Sequence, residues 1–140
     1  MSEPPLQGGC LCGAVRYRID ARPLWTAYCH CETCRRSTGA PVTMFIGARS
    51  ESVRFTAGER AMYASSPDVR RGFCARCGTP LTYESERRCP GETHFYVSTF
   101  DEPQALPPAF HVFYEERLEW LDISDPLPRH ATTKRRWSEG

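Results

Sequence analysis

The sequence predicts an all-β protein of short strands, on three observations. Apolar residues alternate with polar ones in several short runs, turn-forming residues separate those runs, and no long stretch carries the period of an amphipathic helix. Val15, Tyr17 and Ile19 form the first alternating set, and side chains two apart on a strand share a face. Val53 and Phe55, Leu81 and Tyr83, and Phe95 and Val97 repeat the pattern. Between them stand Gly8-Gly9, Gly39-Ala40-Pro41, Ala57-Gly58, Ser65-Ser66-Pro67-Asp68, Gly78-Thr79-Pro80 and Pro90-Gly91. These residues supply the fixed or positive φ angles of tight turns. Pro103, Pro107 and Pro108 bracket a loop before residues 110–114, and Pro126 and Pro128 give an extended exit toward Lys134-Arg135-Arg136.

The chain has 140 residues, 40% hydrophobic and 25% charged, the composition of one soluble domain able to bury an ordinary core. Residues 1–140 therefore read as a single domain, with a short loose N-terminus and a loose polar tail from about residue 131. The formal net charge is +1, which disfavours nucleic acid and anionic lipid as partners. The first residues, from Met1 to Gln7, show neither a basic start nor an apolar run. No signal peptide or membrane span is expected, and the cytoplasm is the expected compartment.

Eight cysteines in such a chain need a reason. Seven of them lie within three residues of another: Cys10 and Cys12, then Cys29, Cys31 and Cys34, then Cys74 and Cys77. In a reducing compartment such crowding points to metal ligands rather than disulfides. If Cys10-Leu11-Cys12 is extended, both thiolates leave one face of a strand. Cys74-Ala75-Arg76-Cys77-Gly78 lets the chain curl around an ion. The two pairs together would complete a closed, structural zinc site contributing on the order of 10 kcal/mol to folding. Cys29, Cys31 and Cys34 supply three ligands and leave a fourth position open, the mark of catalytic zinc, and three thiolates make a further thiolate the natural fourth ligand. Two alternatives stand beside this. The clusters can share ions in other combinations, and Cys89, His30, His94 or His111 can fold back to close the open position.

Single residues read as follows. Arg35, next to Cys34, can bind a substrate carboxylate through its forked donors. His30 points away from its flanking ligands if the chain is extended there. His111, among Phe110, Val112, Phe113 and Tyr114, reads as a hydrogen-bonded, half-buried residue. Cys89, before Pro90-Gly91, reads as an unpaired thiol near a turn.

Three stretches carry a family resemblance: Gly9-Cys10-Leu11-Cys12-Gly13-Ala14-Val15, Cys29-His30-Cys31 through Cys34-Arg35 to Gly39-Ala40-Pro41, and Arg71 through Phe73-Cys74 to Cys77-Gly78-Thr79-Pro80-Leu81. His111, Trp120 and Asp125-Pro126-Leu127-Pro128 extend it. Together they resemble the glutathione-dependent formaldehyde-activating enzyme family, which includes centromere protein V. The resemblance implies a β-tent fold, a structural zinc on Cys10, Cys12, Cys74 and Cys77, and a second zinc on Cys29, Cys31 and Cys34. It implies a carbon–sulfur lyase-like activity on a glutathione, or other thiol, adduct of formaldehyde or a related small aldehyde. The competing expectations are a noncatalytic zinc-binding interaction module and a thiol or zinc sensor.

Overall fold

A computed structural model of the chain describes residues 3–133. The anticipated tail falls partly outside that range, and the Lys134-Arg135-Arg136 cluster wholly so. Ten strands and one short helix follow in the order β1 (Leu6–Gly9), β2 (Arg16–Ile19), β3 (Trp25–Cys29), α1 (Glu32–Thr38), β4 (Thr43–Arg49), β5 (Val53–Ala57), β6 (Ala61–Ser66), β7 (Val69–Phe73), β8 (Pro80–Ser85), β9 (Glu92–Tyr96) and β10 (Phe110–Val112). They build two open sheets: β1-β2-β5, and β10-β3-β4-β9-β8-β7-β6. All neighbours are antiparallel except β10, which runs parallel to β3. The all-β expectation holds, and the unclosed sheets agree with the tent-like form the resemblance implies.

The alternating set at the N-terminus does what its period requires. Val15, Tyr17 and Ile19 are all buried and turn toward the large sheet, where they join Leu6, Ile46, Leu81, Phe95 and Phe100 in one core. Tyr17 packs at 4.4 Å between ring centroids against Phe95 and edge-on to Phe100 at 5.2 Å. Its hydroxyl is satisfied by Thr99 at 2.7 Å, so the buried ring carries no unpaired polar atom. Each such apolar side chain contributes about 1.5–3 kcal/mol through burial. This core occupies one face of the seven-stranded sheet, and the other face is left to the candidate site.

Strand register decides what that second face displays. Trp25 stands opposite Gly47, Gly47 opposite His94, His94 opposite Tyr83, and Tyr83 opposite Arg71. Directly opposed residues in antiparallel pairs share a face, so these five form one row across five strands. A parallel row carries Phe110, Ala27, Phe45 and Tyr96. Gly47 is required in the first row, because a Cβ there would overlap the indole of Trp25. The two rows make an aromatic floor with a guanidinium at one end, and they pack with Cys29, Cys31 and Cys34 in a second apolar cluster.

Candidate metal centres and the cavity beside them

The four sulfurs of Cys10, Cys12, Cys74 and Cys77 lie within 4.8 Å of one another, as do the three of Cys29, Cys31 and Cys34. A tetrahedral zinc with bonds of about 2.3 Å needs sulfurs about 3.8 Å apart. Cys10 and Cys12 stand at 3.6 Å, Cys12 and Cys74 at 3.8 Å, and Cys29 and Cys34 at 3.9 Å. Both donor sets therefore fit a zinc-sized ion in spacing and chemistry. Among the described residues, no histidine and no fourth cysteine joins the set of three.

Local backbone hydrogen bonds aim the sulfurs. Cys10 and Cys12 do not lie on a strand, as an extended reading supposed; β1 ends at Gly9, and the chain turns as Gly13 donates to the Cys10 carbonyl at 3.1 Å. Gly13 takes φ 81° to close that turn, a conformation open to glycine at little cost. Cys10 Sγ accepts from the Val15 N–H at 3.3 Å. The second pair mirrors this: Cys74 Sγ accepts from the Cys77 N–H at 3.4 Å, and Gly78 donates to the Cys74 carbonyl with φ 81°. Leu11, between the first two ligands, is 89% exposed. Its backbone N–H reaches Thr79 Oγ1 at 3.0 Å and ties the two turns together.

The set of three sits where β3 passes into α1. Cys29 ends the strand, Cys31 caps the helix by accepting from the Cys34 N–H at 3.4 Å, and Cys34 falls in the first turn. All three side chains are buried. Cys31 is held well below the usual thiol range by hydrogen bonds from Cys29 first and then Cys34, while Cys29 is pushed well above it by the same two neighbours and by burial. Three thiols this close accommodate one negative charge, and a bound cation is what lets all three ionise.

His30, flanked by Cys29 and Cys31, points to the opposite side. Its Nε2 lies 2.9 Å from His111 Nδ1, and His111 Nε2 lies 3.0 Å from Asp125 Oδ2, which Arg129 also reaches through Oδ1 at 2.7 Å. Asp125 can only accept, so His111 donates to it from Nε2, and with a neutral His111 ring the Nδ1 accepts from His30 Nε2. Burial, then His111 and nearby arginines, lowers His30 to about 4. His111 was expected half-buried and is wholly enclosed.

In front of the three sulfurs opens a cavity of about 670 Å³, lined by them and by Trp25, Phe45, Tyr83, His94, Arg71 and Cys89. His94 Nε2 lies 3.0 Å from Glu92 Oε1, which also accepts from Trp25 Nε1 at 3.2 Å. Burial keeps His94 below its ordinary pKa against the pull of Glu92. Burial also pushes the Cys89 thiol up to about 12, leaving it a neutral part of the wall. Arg88 and Glu116 place charges among the lining groups. Arg35 is elsewhere: its guanidinium donates to the carbonyl oxygens of His30 and Glu116, at 3.4 and 3.1 Å, and borders a shallow cleft with Leu118 and Trp120. Sequence reasoning offered Cys89 and His94 as possible fourth ligands; both line this cavity but neither joins the three sulfurs, and Arg71 had no assigned place there. Arg71 left a trace only as part of a motif.

The chain matches the family described as glutathione-dependent formaldehyde-activating enzyme over residues 5–116. A protein of Halomonas elongata, provisionally named a glutathione-dependent formaldehyde-activating enzyme, is 29% identical over 127 residues, covering 84% of this chain and 80% of its own length. An uncharacterised lyase of Schizosaccharomyces pombe is 35% identical over 80 residues, 57% of this chain and 58% of that protein. A crystal structure of a Rhodobacter sphaeroides protein shares the fold with a TM-score of 0.56 at 22% identity, covering 88% of this chain and 98% of that one. The matched span takes in all seven clustered cysteines and every strand, so this chain belongs to the glutathione-dependent formaldehyde-activating enzyme family.

Proposed function

We propose that this protein is a zinc-dependent carbon–sulfur lyase, making or breaking the bond between a thiol, glutathione in the first instance, and formaldehyde or a related small aldehyde. The observation that carries this is an incomplete tetrahedral donor set facing a cavity large enough for a small ligand. The family's name and the lyase among its relatives support the reaction class.

In this reading Cys29, Cys31 and Cys34 hold the reactive zinc, and Cys10, Cys12, Cys74 and Cys77 a structural one. The reactive zinc, when bound, supplies Lewis acidity and affinity for a thiolate sulfur. The rest falls to the chain. Trp25, Phe45 and Tyr83 keep water from the reacting centre, which strengthens every charge interaction there. Arg88 offers a cation to a carboxylate of the thiol. Arg35 serves from behind, holding the ligand loop against residue 116 rather than meeting substrate. Seven thiolates held for metal suit a reducing compartment, and we assign the protein to the cytoplasm as one domain over residues 1–140.

The test is thiol–formaldehyde exchange followed by nuclear magnetic resonance on reduced, zinc-loaded protein. The expected result is exchange faster than the spontaneous rate, abolished by Cys31→Ser. Exchange no faster than in buffer would reject the lyase reading and leave a noncatalytic zinc module or a sensor.

A further inference from the structure

We propose that Arg71 is a positioning residue for the reaction, its guanidinium acting through Cys34 to favour the thiolate released when the carbon–sulfur bond breaks. This rests on the carbon–sulfur reading above and names a group that reading does not require.

Arg71 is 7% exposed. A buried arginine normally faces a carboxylate, since an unpaired charge in low dielectric is costly. Among the described residues no carboxylate pairs with Arg71. Its Nη1 and Nη2 lie 3.7 and 3.8 Å from Cys34 Sγ. Its remaining donors go to neutral oxygens: Tyr96 at 3.2 Å, Thr33 at 3.3 Å and Ser65 at 3.2 Å. The face of Tyr83 lies beneath it, 5.1 Å from the ring centroid. The neutral oxygens fix the direction of the fork, and the cysteine cluster is the anion it answers.

Position makes the guanidinium more than a counter-ion. Arg71 and Thr33 line both the main cavity and a second one of about 470 Å³, so Arg71 stands in the partition between the two. Three thiolates around a dication carry one net negative charge, which Arg71 cancels. With the ion bound, a substrate thiolate would meet a neutral centre instead of an anionic one.

The step balances without an oxidant. In the adduct R–S–CH2–OH the C–S bond breaks, its electron pair stays on sulfur, the hydroxyl proton leaves to solvent, and the C–O bond becomes a carbonyl. In reverse, the thiolate attacks the carbonyl carbon and the oxygen takes up a proton. In both directions the negative charge changes hands beside the partition. With its N–H groups taken by Ser65, Tyr96, Thr33 and Cys34, the guanidinium acts as a fixed charge beside the place where charge develops, and removing a preorganised electrostatic stabiliser typically costs about 10²–10³ in rate.

The experiment compares full-length, zinc-loaded wild type with Arg71→Met and Arg71→Lys on formaldehyde adducts of thiols that differ in acidity. With Arg71→Met the rate on the glutathione adduct is expected to fall about 10²–10³-fold, and the loss to grow as the parent thiol becomes less acidic. Arg71→Lys, which keeps the charge but not the fork, recovers part of it. A binding measurement without turnover runs beside this: wild type prefers glutathione to S-methylglutathione, which cannot form a thiolate, and Arg71→Met shows a smaller preference. A loss equal for every thiol, with the preference intact, would reduce Arg71 to packing and overturn the proposal. If Arg71→Met does not fold, Arg71→Lys decides alone: a leaving-group dependence steeper than wild type supports the role, and an unchanged one ends it. Wild type that accelerates no adduct removes the carbon–sulfur reading, and Arg71's role with it, an outcome separate from any change in slope.

Discussion

The two cysteine clusters are opposites in a way that exposure alone would misjudge. The four-cysteine set has two exposed members, Cys12 and Cys77, yet its donors are complete and it joins the β1–β2 turn to the β7–β8 turn, 62 residues away in sequence. The three-cysteine set is buried throughout, yet its donors are incomplete and it opens on a cavity. The difference teaches that ligand count and what faces the empty direction separate a fastening from a working centre. A chain-crossing clasp can sit at the surface, because its work is finished when the fourth ligand is in place.

The largest effect should come from breaking the clasp. Cys74→Ser removes a buried ligand of the closed set, and with structural zinc contributing on the order of 10 kcal/mol, the strand signal in circular dichroism should be lost at ordinary temperature. Cys31→Ser should leave the fold intact while zinc content drops from two ions to one and thiol–aldehyde exchange disappears. Equal unfolding of both variants would erase the distinction between the centres.

A third change touches only the floor of the open centre. Gly47→Ala forces the Trp25 indole off its seat, and overpacking of this kind costs about 1–3 kcal/mol. Denaturant unfolding should show that loss, with both zinc ions retained.

A smaller effect sharpens what lies behind the open centre. Burial alone would raise the Asp125 carboxyl, but the Leu127 N–H, Arg129 and His111 outweigh it and hold it at about 2. A carboxyl depressed from its unfolded value near ~3.9 adds stability above that pH and loses it as pH falls through the folded value. Asp125→Asn should therefore melt below wild type near neutrality, and the gap between their melting temperatures should close between about pH 4 and about pH 2. Smallest of all, Leu11→Ser at the exposed tip of the first ligand turn should change stability by no more than about 0.5 kcal/mol.

What the sequence by itself determined is what lies within a few residues. Period-two alternation marked Tyr17, Ile19 and Phe95 as core-facing, and each is buried. The one- and two-residue gaps between cysteines marked three groups of ligands, because so short a chain keeps its thiols near one ion whatever the rest does. Even there local geometry surprised: Cys10 and Cys12 converge through a glycine turn rather than along a strand. Only the tertiary structure decided which groups meet and what stands before them. The junction of Cys12 with Cys74 is set by the packing of the three-stranded sheet on the seven-stranded one, and the row from Trp25 through Gly47, His94 and Tyr83 to Arg71 by strand register. Register is a sum of many cross-strand contacts, and no single position records it. For that reason Arg71, 37 residues from the sulfur it faces, could be seen in the sequence as a charge but not as part of the site.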